Sequence, residues 1–216
     1  MQTTEIFLIR HGETDWNKEK RLQGHLDIPL NAEGFLQAQA LRAGLSEVAL
    51  DAVFSSDLLR ARQTAEPLTM ANGLTLQIDS DLRERCFGVM EGMRRPEIAE
   101  RFPLDFAALN NRDLDVRYPA GVNVAETLSE FSARAIGALQ RIVRNTRHRR
   151  VAIVSHGGVL DCFYRHAENI DLRQARDFDI FNASINRFTW NGTQLRLIEW
   201  ADVSHLNAIS LDEVDR

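Results

Sequence analysis

Two apolar runs, one near each end of the chain, finish in the same way. IFLIRHG covers residues 6–12 and VAIVSHGG covers residues 151–158. Uninterrupted apolar runs of this length are typical of strands buried on both faces, as in a parallel sheet. Parallel strands end at one edge of their sheet, where ligands bind. If the two strands are neighbours, His11 and His156 face each other at that edge.

The pattern around these runs predicts an α/β fold. Further strands are predicted at 51–56 and 74–79, and helices at 32–45, 57–70, 124–146 and from 158 to about 166. Asn31 is the predicted N-cap of the first helix, and Ser56 or Asp57 of the second. Strands that alternate with helices predict a three-layer αβα sandwich with a mostly parallel central sheet. Two last strands are predicted around an Asn191-Gly192 hairpin turn.

The middle of the chain has a different character. Residues 92–122 contain Pro96, Pro103, Pro119 and several arginines, with only short apolar clusters. Short helices and loops are expected there, inserted over the sheet as a small helical lid or substrate rim. With 216 residues and 44% hydrophobic content, residues 1–216 are expected to form a single domain that includes this insertion.

Composition and charge exclude several classes of protein. The net charge of −5 argues against a nucleic-acid partner, and the basic run at 141–150 is interpreted as a solvated helix end. No signal peptide is recognised, and no segment approaches the roughly 20 apolar residues of a membrane span. Cys86 and Cys162 lie outside any CxxC pattern, so both are expected to be packing residues in a cytoplasmic protein.

Arginines near the two histidines predict a site for a phosphoryl group. Arg10 precedes His11, and Arg62 lies early in the helix that follows the strand at 51–56. Helix N-termini and arginine forks both favour phosphate oxygens. A neutral histidine can attack phosphorus, and a carboxylic acid can protonate the leaving oxygen. Glu84, just after the third strand, is favoured over Glu91 as that acid.

Four blocks of sequence resemble the histidine phosphatase superfamily, which is also called phosphoglycerate mutase-like. They are LIRHGETDWN, SSDLLRARQTA, LRERCFGVMEG and IVSHGG, and the resemblance extends over about residues 5–190, including FNASIN. The resemblance implies a phosphoglycerate mutase-like fold and a phosphohistidine intermediate on His11, with Glu84 as proton donor and no metal or other cofactor. It also implies a set of residues that bind the phosphoryl group: Arg10, Arg62, His156 and Asn17, to which we add Gln23, Gly24 and Gly157 as expected contacts.

The resemblance includes both phosphatases and mutases, and the sequence favours a phosphatase. The segment 92–122 is shorter than the mutase insertion and has no proline run, and FGVMEG resembles the phosphatase-like members. Hydrolysis of a small phosphorylated metabolite is therefore predicted. A cofactor-dependent phosphoglycerate mutase and a non-catalytic phospho-ligand binding module remain alternatives. Arg85 occupies a position that is also basic in mutases, and PAGVNVAET departs from the usual GES entry to the long helix. The sequence permits a homodimer and does not identify the substrate.

Overall fold

The computed structural model describes residues 3–145 and 148–206. The predicted domain 1–216 therefore includes residues outside this range, as does part of the basic run at 141–150. Within the described residues, no helix combines the length and apolar character that crossing a membrane requires.

A six-stranded sheet forms the centre of the protein. Its strands are β1 (Thr4–Arg10), β2 (Ala52–Ser55), β3 (Leu76–Ile78), β4 (Arg150–Ser155), β5 (Ile185–Trp190) and β6 (Leu195–Asp202), in the order β3-β2-β4-β1-β5-β6. The four strands from β3 to β1 are parallel, whereas β5 and β6 continue the sheet as antiparallel strands. Because β1 and β4 pair in parallel, with Arg10 opposite Ser155, the two His-Gly ends are neighbours, as predicted.

Helices cover both faces of the sheet. They are α1 (Asp15–Lys18), α2 (Ala32–Gly44), α3 (Leu59–Asn72), α4 (Arg95–Arg101), α5 (Pro103–Asn110), α6 (Leu128–Asn145) and α7 (Gly157–Glu168). Alternate residues of β1 point to opposite faces: Phe7 and Ile9 pack with residues of α2 and α3, whereas Ile6 and Leu8 pack with residues of α6 and α7. This arrangement confirms the three-layer αβα sandwich.

Element boundaries differ from the prediction in a few places. The long helix α6 begins at Leu128 rather than near residue 124. Asn31 caps α2 as expected, since its Oδ1 accepts from the N–H of Gly34 at 2.9 Å. The predicted caps of α3 are wrong: Leu58 is the N-cap, and the N–H of Leu59 donates to Asp27 instead. Asp57 is engaged elsewhere, because Arg83 donates to both of its carboxylate oxygens.

The inserted segment has a small core of its own. Helices α4 and α5 and the loop that follows pack around Ile98, Ala108 and Tyr118, which contact Met90 and Ala125 from outside the segment. Three side chains of this segment, those of Arg95, Leu109 and Arg112, line the cavity that contains His11. The segment therefore forms part of the rim of that cavity.

Candidate active site

A cavity of about 230 Å³ lies at the edge of the sheet where the parallel strands end. Residues from several separate elements meet in it. They are Arg10 and His11 at the end of β1, Arg60 in the first turn of α3, Glu84 in the loop after β3, and Gly157 at the start of α7. In an open α/β sheet, this edge is where a ligand is expected.

His11 is fixed in one orientation by hydrogen bonds. Its main-chain N–H donates to the carbonyl of Ser155 at 2.9 Å, and its carbonyl accepts from Nδ2 of Asn182 at 2.9 Å. Its ring Nδ1 lies 2.7 Å from the carbonyl oxygen of Gly12. A carbonyl oxygen only accepts, so Nδ1 carries the hydrogen and Nε2 of the neutral ring keeps its lone pair. Nε2 is therefore the ring nitrogen that is available to act as a nucleophile.

Burial and neighbouring charge keep His11 neutral. Burial lowers its pKa well below 6.5, and the positive charges of Arg60 and Arg10 lower it further, against the opposing effect of the Gly12 hydrogen bond. Neutral imidazole is the form that can attack phosphorus. His11 is therefore in the neutral form at physiological pH.

His156 lies beside His11 and is fully buried. The two ring centroids are 5.2 Å apart and the ring planes are tilted by 57°. Burial, followed by the charge of Arg60, lowers the pKa of His156 well below 6.5. Neither ring nitrogen has a hydrogen-bond partner among the described residues. His156 itself is not among the residues that line the cavity, so the structure brings it beside His11 rather than to the cavity surface.

Arg60, rather than Arg62, lies at the phosphoryl site. The prediction for Arg62 is wrong, because its side chain is exposed and does not line the cavity. Arg60 is 0% exposed and lines the cavity, and Nη1 and Nη2 donate to the carbonyls of Leu26 and Gly24 at 2.9 and 2.8 Å. Residues two apart on a helix are separated by about 160° around its axis, so Arg60 and Arg62 point to nearly opposite sides and only one of them can face the site. Burial lowers the pKa of Arg60 to about 10, which leaves it charged at neutral pH.

Arg10 and Glu84 take the positions expected of them. Arg10 is buried, and its Nη1 donates to the carbonyl of Ile180 at 3.0 Å. The carboxylate of Glu84 accepts from the main-chain N–H groups of Arg85 at 2.7 Å and Gly158 at 2.9 Å. A Cβ on Gly158 would lie 2.1 Å from Oε1 of Glu84, so α7 approaches the carboxyl group this closely only because that residue is glycine.

The remaining predicted contacts also line the cavity. Thr14 is the N-cap of α1 and exchanges hydrogen bonds with Asn17: its Oγ1 accepts from the main-chain N–H of Asn17, and Oδ1 of Asn17 accepts from the main-chain N–H of Thr14. Gln23 is buried, and its Oε1 has no partner among the described residues. Gly24 has a left-handed backbone with φ of +52°, and Gly157 begins α7. All four line the cavity that contains His11.

Several residues of the cavity were not predicted as site residues. They comprise arginines, one carboxylate and an apolar wall: Arg21, Arg85, Arg95, Arg112, Arg176, Asp161, Leu22, Phe87, Leu109, Leu128 and Phe131. Arginines in 92–122 were a visible signal in the sequence. Arg176 and Asp161 carried no signal, because their neighbours in sequence resemble ordinary loop and helix surface.

Cys86 and Cys162 agree with a packing role. Both side chains are buried, and burial raises the pKa of each thiol to about 12. A thiol with so high a pKa stays protonated and is a poor nucleophile. Among residues 3–145 and 148–206, no group of three or more His, Cys, Asp or Glu side chains is arranged to hold a metal ion.

The histidines predict a specific loss of stability in mild acid. His11 and His156, and to a smaller extent His25 and His205, have a folded-state pKa below the ordinary 6.5. Below 6.5 the unfolded chain therefore binds more protons than the folded one, and the free energy of unfolding falls as the pH decreases. Above pH 6.5 the histidines are neutral in both states, so they no longer change the free energy of unfolding with pH. The Tm measured by calorimetry is expected to fall between about pH 7 and about pH 5.5, before the carboxylates titrate. A Tm that stays constant over this range would contradict the lowered pKa values of the folded-state histidines.

Comparison with known proteins gives consistent matches. The family model described as histidine phosphatase superfamily (branch 1) matches residues 6–203. Phosphoglycerate mutase-like protein 4 of Arabidopsis thaliana is 39% identical over 206 residues, which cover 94% of this chain and 86% of that protein. The structure of Bacillus stearothermophilus YhfR superimposes with a TM-score of 0.86 at 30% identity, covering 94% of this chain and 99% of that one. A putative alpha-ribazole-5'-P phosphatase from Escherichia coli str. K-12 substr. MG1655 superimposes with a TM-score of 0.83 at 26% identity, covering 92% and 96%.

Proposed function

The chain belongs to the histidine phosphatase superfamily, branch 1, and on that premise we propose that it is a phosphatase that hydrolyses small phosphomonoesters without a metal ion. The observation that carries the proposal is the state of His11. Its Nδ1 donates to Gly12, its pKa is well below 6.5, and Arg10 and Arg60 lie beside it. A neutral nucleophile flanked by positive charge suits attack on a phosphoryl group.

In the first step, Nε2 of His11 attacks phosphorus, and the bond from phosphorus to the leaving oxygen breaks. Glu84 gives its proton to that oxygen, so the alcohol leaves neutral and phosphohistidine remains. Arg10, Arg60 and the N-terminus of α7 line the cavity and would stabilise the charge on the phosphoryl oxygens, and we assign His156, which lies beside His11, a supporting role. In the proposed mechanism the arginine guanidinium groups supply the positive charge that stabilises the phosphoryl oxygens, and a metal ion is not required for it.

In the second step, water attacks phosphorus and the bond to His11 breaks. Glu84, now ionised, removes a proton from the water, which restores the starting protonation state and releases inorganic phosphate. A carboxyl group can act as acid and then as base in this way because the two steps are chemically the reverse of each other at the same oxygen position.

The rim of the cavity favours a substrate with a second anionic group. Five arginines line the cavity beyond the phosphoryl site, against Asp161 as the additional carboxylate. A cavity with this excess of positive charge attracts anions and disfavours neutral or cationic leaving groups. The proposed ligand is therefore a small phosphorylated metabolite whose leaving group carries a carboxylate or another phosphate. The cytoplasmic location and the homodimer remain predictions.

A phosphoglycerate mutase is the second candidate, favoured by one observation. A relative that is 39% identical is named phosphoglycerate mutase-like. A mutase would use the same phosphohistidine but return the phosphoryl group to the substrate. The non-catalytic binding module is disfavoured, because phosphate binding has no need for a carboxylate such as Glu84 in the site.

One assay separates these candidates. Phosphate release from a panel of phosphomonoesters is measured in the presence of EDTA, together with isomerisation of 3-phosphoglycerate with and without bisphosphoglycerate. We expect phosphate release from anionic esters that EDTA does not reduce, and little isomerisation. Isomerisation that far exceeds release and requires bisphosphoglycerate would support the mutase instead, and release that depends on added metal would contradict the proposed chemistry.

A further inference from the structure

The loop that carries Glu84 is held from behind by Arg134 of α6. A guanidinium group has five N–H donors, and in Arg134 all five are used. Nε and Nη2 donate to the two carboxylate oxygens of Glu126, each at 2.7 Å. The other three donate to main-chain carbonyls of the loop, those of Asp81 at 2.9 Å, Arg83 at 3.1 Å and Glu84 at 3.1 Å. One side chain therefore sets the path of the backbone up to Glu84 itself.

Glu126 holds the backbone on the other side of Glu84, at Cys86. Its Oε2 also accepts from the N–H of Cys86 at 2.9 Å, and its main-chain N–H donates to the carbonyl of Cys86 at 3.0 Å. Burial acts to raise the pKa of Glu126, but the bonds from Arg134 and Cys86 outweigh it and hold the pKa below its usual range. Glu126 belongs to the segment PAGVNVAET, whose departure from the expected GES had no functional explanation.

His25 adds a third contact at the same point. Its Nε2 lies 2.9 Å from the carbonyl of Glu84, so this nitrogen carries the hydrogen and donates. The carbonyl of Glu84 thus accepts from both His25 and Arg134. The side-chain carboxylate of Glu84, in contrast, accepts from the main-chain N–H groups of Arg85 and Gly158. The position of the carboxyl group therefore depends on how firmly the backbone is held.

We propose that Arg134, braced by Glu126, is the positioning residue of the proton donor Glu84. This inference rests on the proposed function, because it concerns the position of the group that protonates the leaving oxygen in the first step. Proton transfer requires donor and acceptor within about 2.6–3.2 Å. A displacement of about 1 Å by a residue remote from the chemistry can cost about 100-fold in rate. Arg134 does not itself line the cavity; it contacts residues that do, through the carbonyl of Glu84 and the ring of Phe131, so it acts on the reaction through the Glu84 loop and not by touching the substrate.

The test uses two substrates that differ in their need for a proton. The leaving group of p-nitrophenyl phosphate is the p-nitrophenolate anion, which departs without a proton. The leaving group of 2-phosphoglycerol is the alkoxide of glycerol, which has to be protonated as it departs. The quantity measured is the ratio of kcat/KM for 2-phosphoglycerol to that for p-nitrophenyl phosphate. This ratio does not depend on the fraction of enzyme that is folded, because both rates come from the same preparation.

We expect Arg134→Gln to lower this ratio by about tenfold or more, and Glu84→Gln to lower it further, toward the roughly 10²- to 10⁴-fold that general acid catalysis contributes. Arg134→Lys, which keeps the charge but not the planar fork, should fall between wild type and Arg134→Gln. Arg141→Gln is the matched control. Arg141 lies on the same helix and binds the carboxylates of Asp79 and Asp81 rather than the loop carbonyls, so the ratio for Arg141→Gln should not change.

A double variant completes the test. If Arg134 acts through Glu84, Arg134→Gln should not lower the ratio further in an enzyme that already carries Glu84→Gln. An unchanged ratio in Arg134→Gln, or an additional loss in the double variant, would overturn the inference while leaving the phosphatase proposal intact. A wild-type enzyme that releases phosphate from no phosphomonoester of the panel, these two and the anionic esters included, would overturn both.

Discussion

Replacement of His11 by alanine is expected to reduce phosphate release by about 10⁴-fold or more. The variant lacks the atom that forms the covalent bond to phosphorus, and removal of a nucleophile in an enzyme of this kind costs more than the loss of any one stabilising group. The arginines and the N-terminus of α7 would still bind a phosphoryl group, so KM should change far less than kcat. Steady-state kinetics on the best substrate of the panel measures both constants.

The same variant tests the intermediate directly. Wild-type enzyme quenched during turnover of a ³²P-labelled substrate should retain label that is stable in alkali and lost in acid, as expected of phosphohistidine, and His11→Ala should retain none. His166→Ala is the control, because His166 is an exposed histidine of α7. Substantial activity in His11→Ala would refute the nucleophile assignment, and label retained in that variant would place the covalent bond on another residue.

Substitution of Arg60 is expected to be costly, and the same substitution at Arg62 is not. Arg60→Gln removes a buried guanidinium beside both histidines, and loss of one donor to a developing charge typically lowers the rate by about 10²- to 10³-fold. Arg62→Gln changes an exposed side chain on the other side of the helix, so kcat/KM should stay within about twofold of wild type.

The comparison of these two variants has a built-in control for helix stability, since both alter α3 in its first turns. Because Arg60 also donates to the carbonyls of Leu26 and Gly24, its loss can loosen the loop at 22–28. Arg60→Lys keeps the charge and serves as the second variant, and the Tm of each protein reports folding. A loss at Arg62→Gln equal to that at Arg60→Gln would contradict the assignment of the phosphoryl site.

The fold was predictable to the extent that its signals are local. The apolar runs of β1 and β4 and the Asn31 cap of α2 can be read from adjacent residues, and each appears in the structure with small shifts at its ends. The cap of α3 was not predictable, because the side chain that accepts from the N–H of its first residue, Leu59, is Asp27, from a loop distant in sequence. The start of α6 was displaced for a similar reason: Glu126, in the predicted first turn, bonds instead to Arg134 and the Cys86 N–H.

The candidate site was predictable only in part. His11, His156 and Glu84 stand beside recognisable motifs, and the structure brings them to the same edge of the sheet. Arg60 and Arg62 occur in one motif, and the choice between them depends on the rotation of α3 about its axis, which a sequence of alternating arginines does not specify. Arg176 and Asp161 reach the cavity from elements whose sequences have no distinctive pattern.

The sequence by itself determined the family, the layers of the fold and the groups available for chemistry, because these depend on short motifs and on the period of apolar residues. Only the tertiary structure decided which arginine lines the cavity, which nitrogen of His11 keeps its lone pair, and that Arg134 and Glu126 hold the Glu84 loop. Each of these depends on contacts between segments far apart in the chain, and their distances and directions arise only when the helices pack on the sheet.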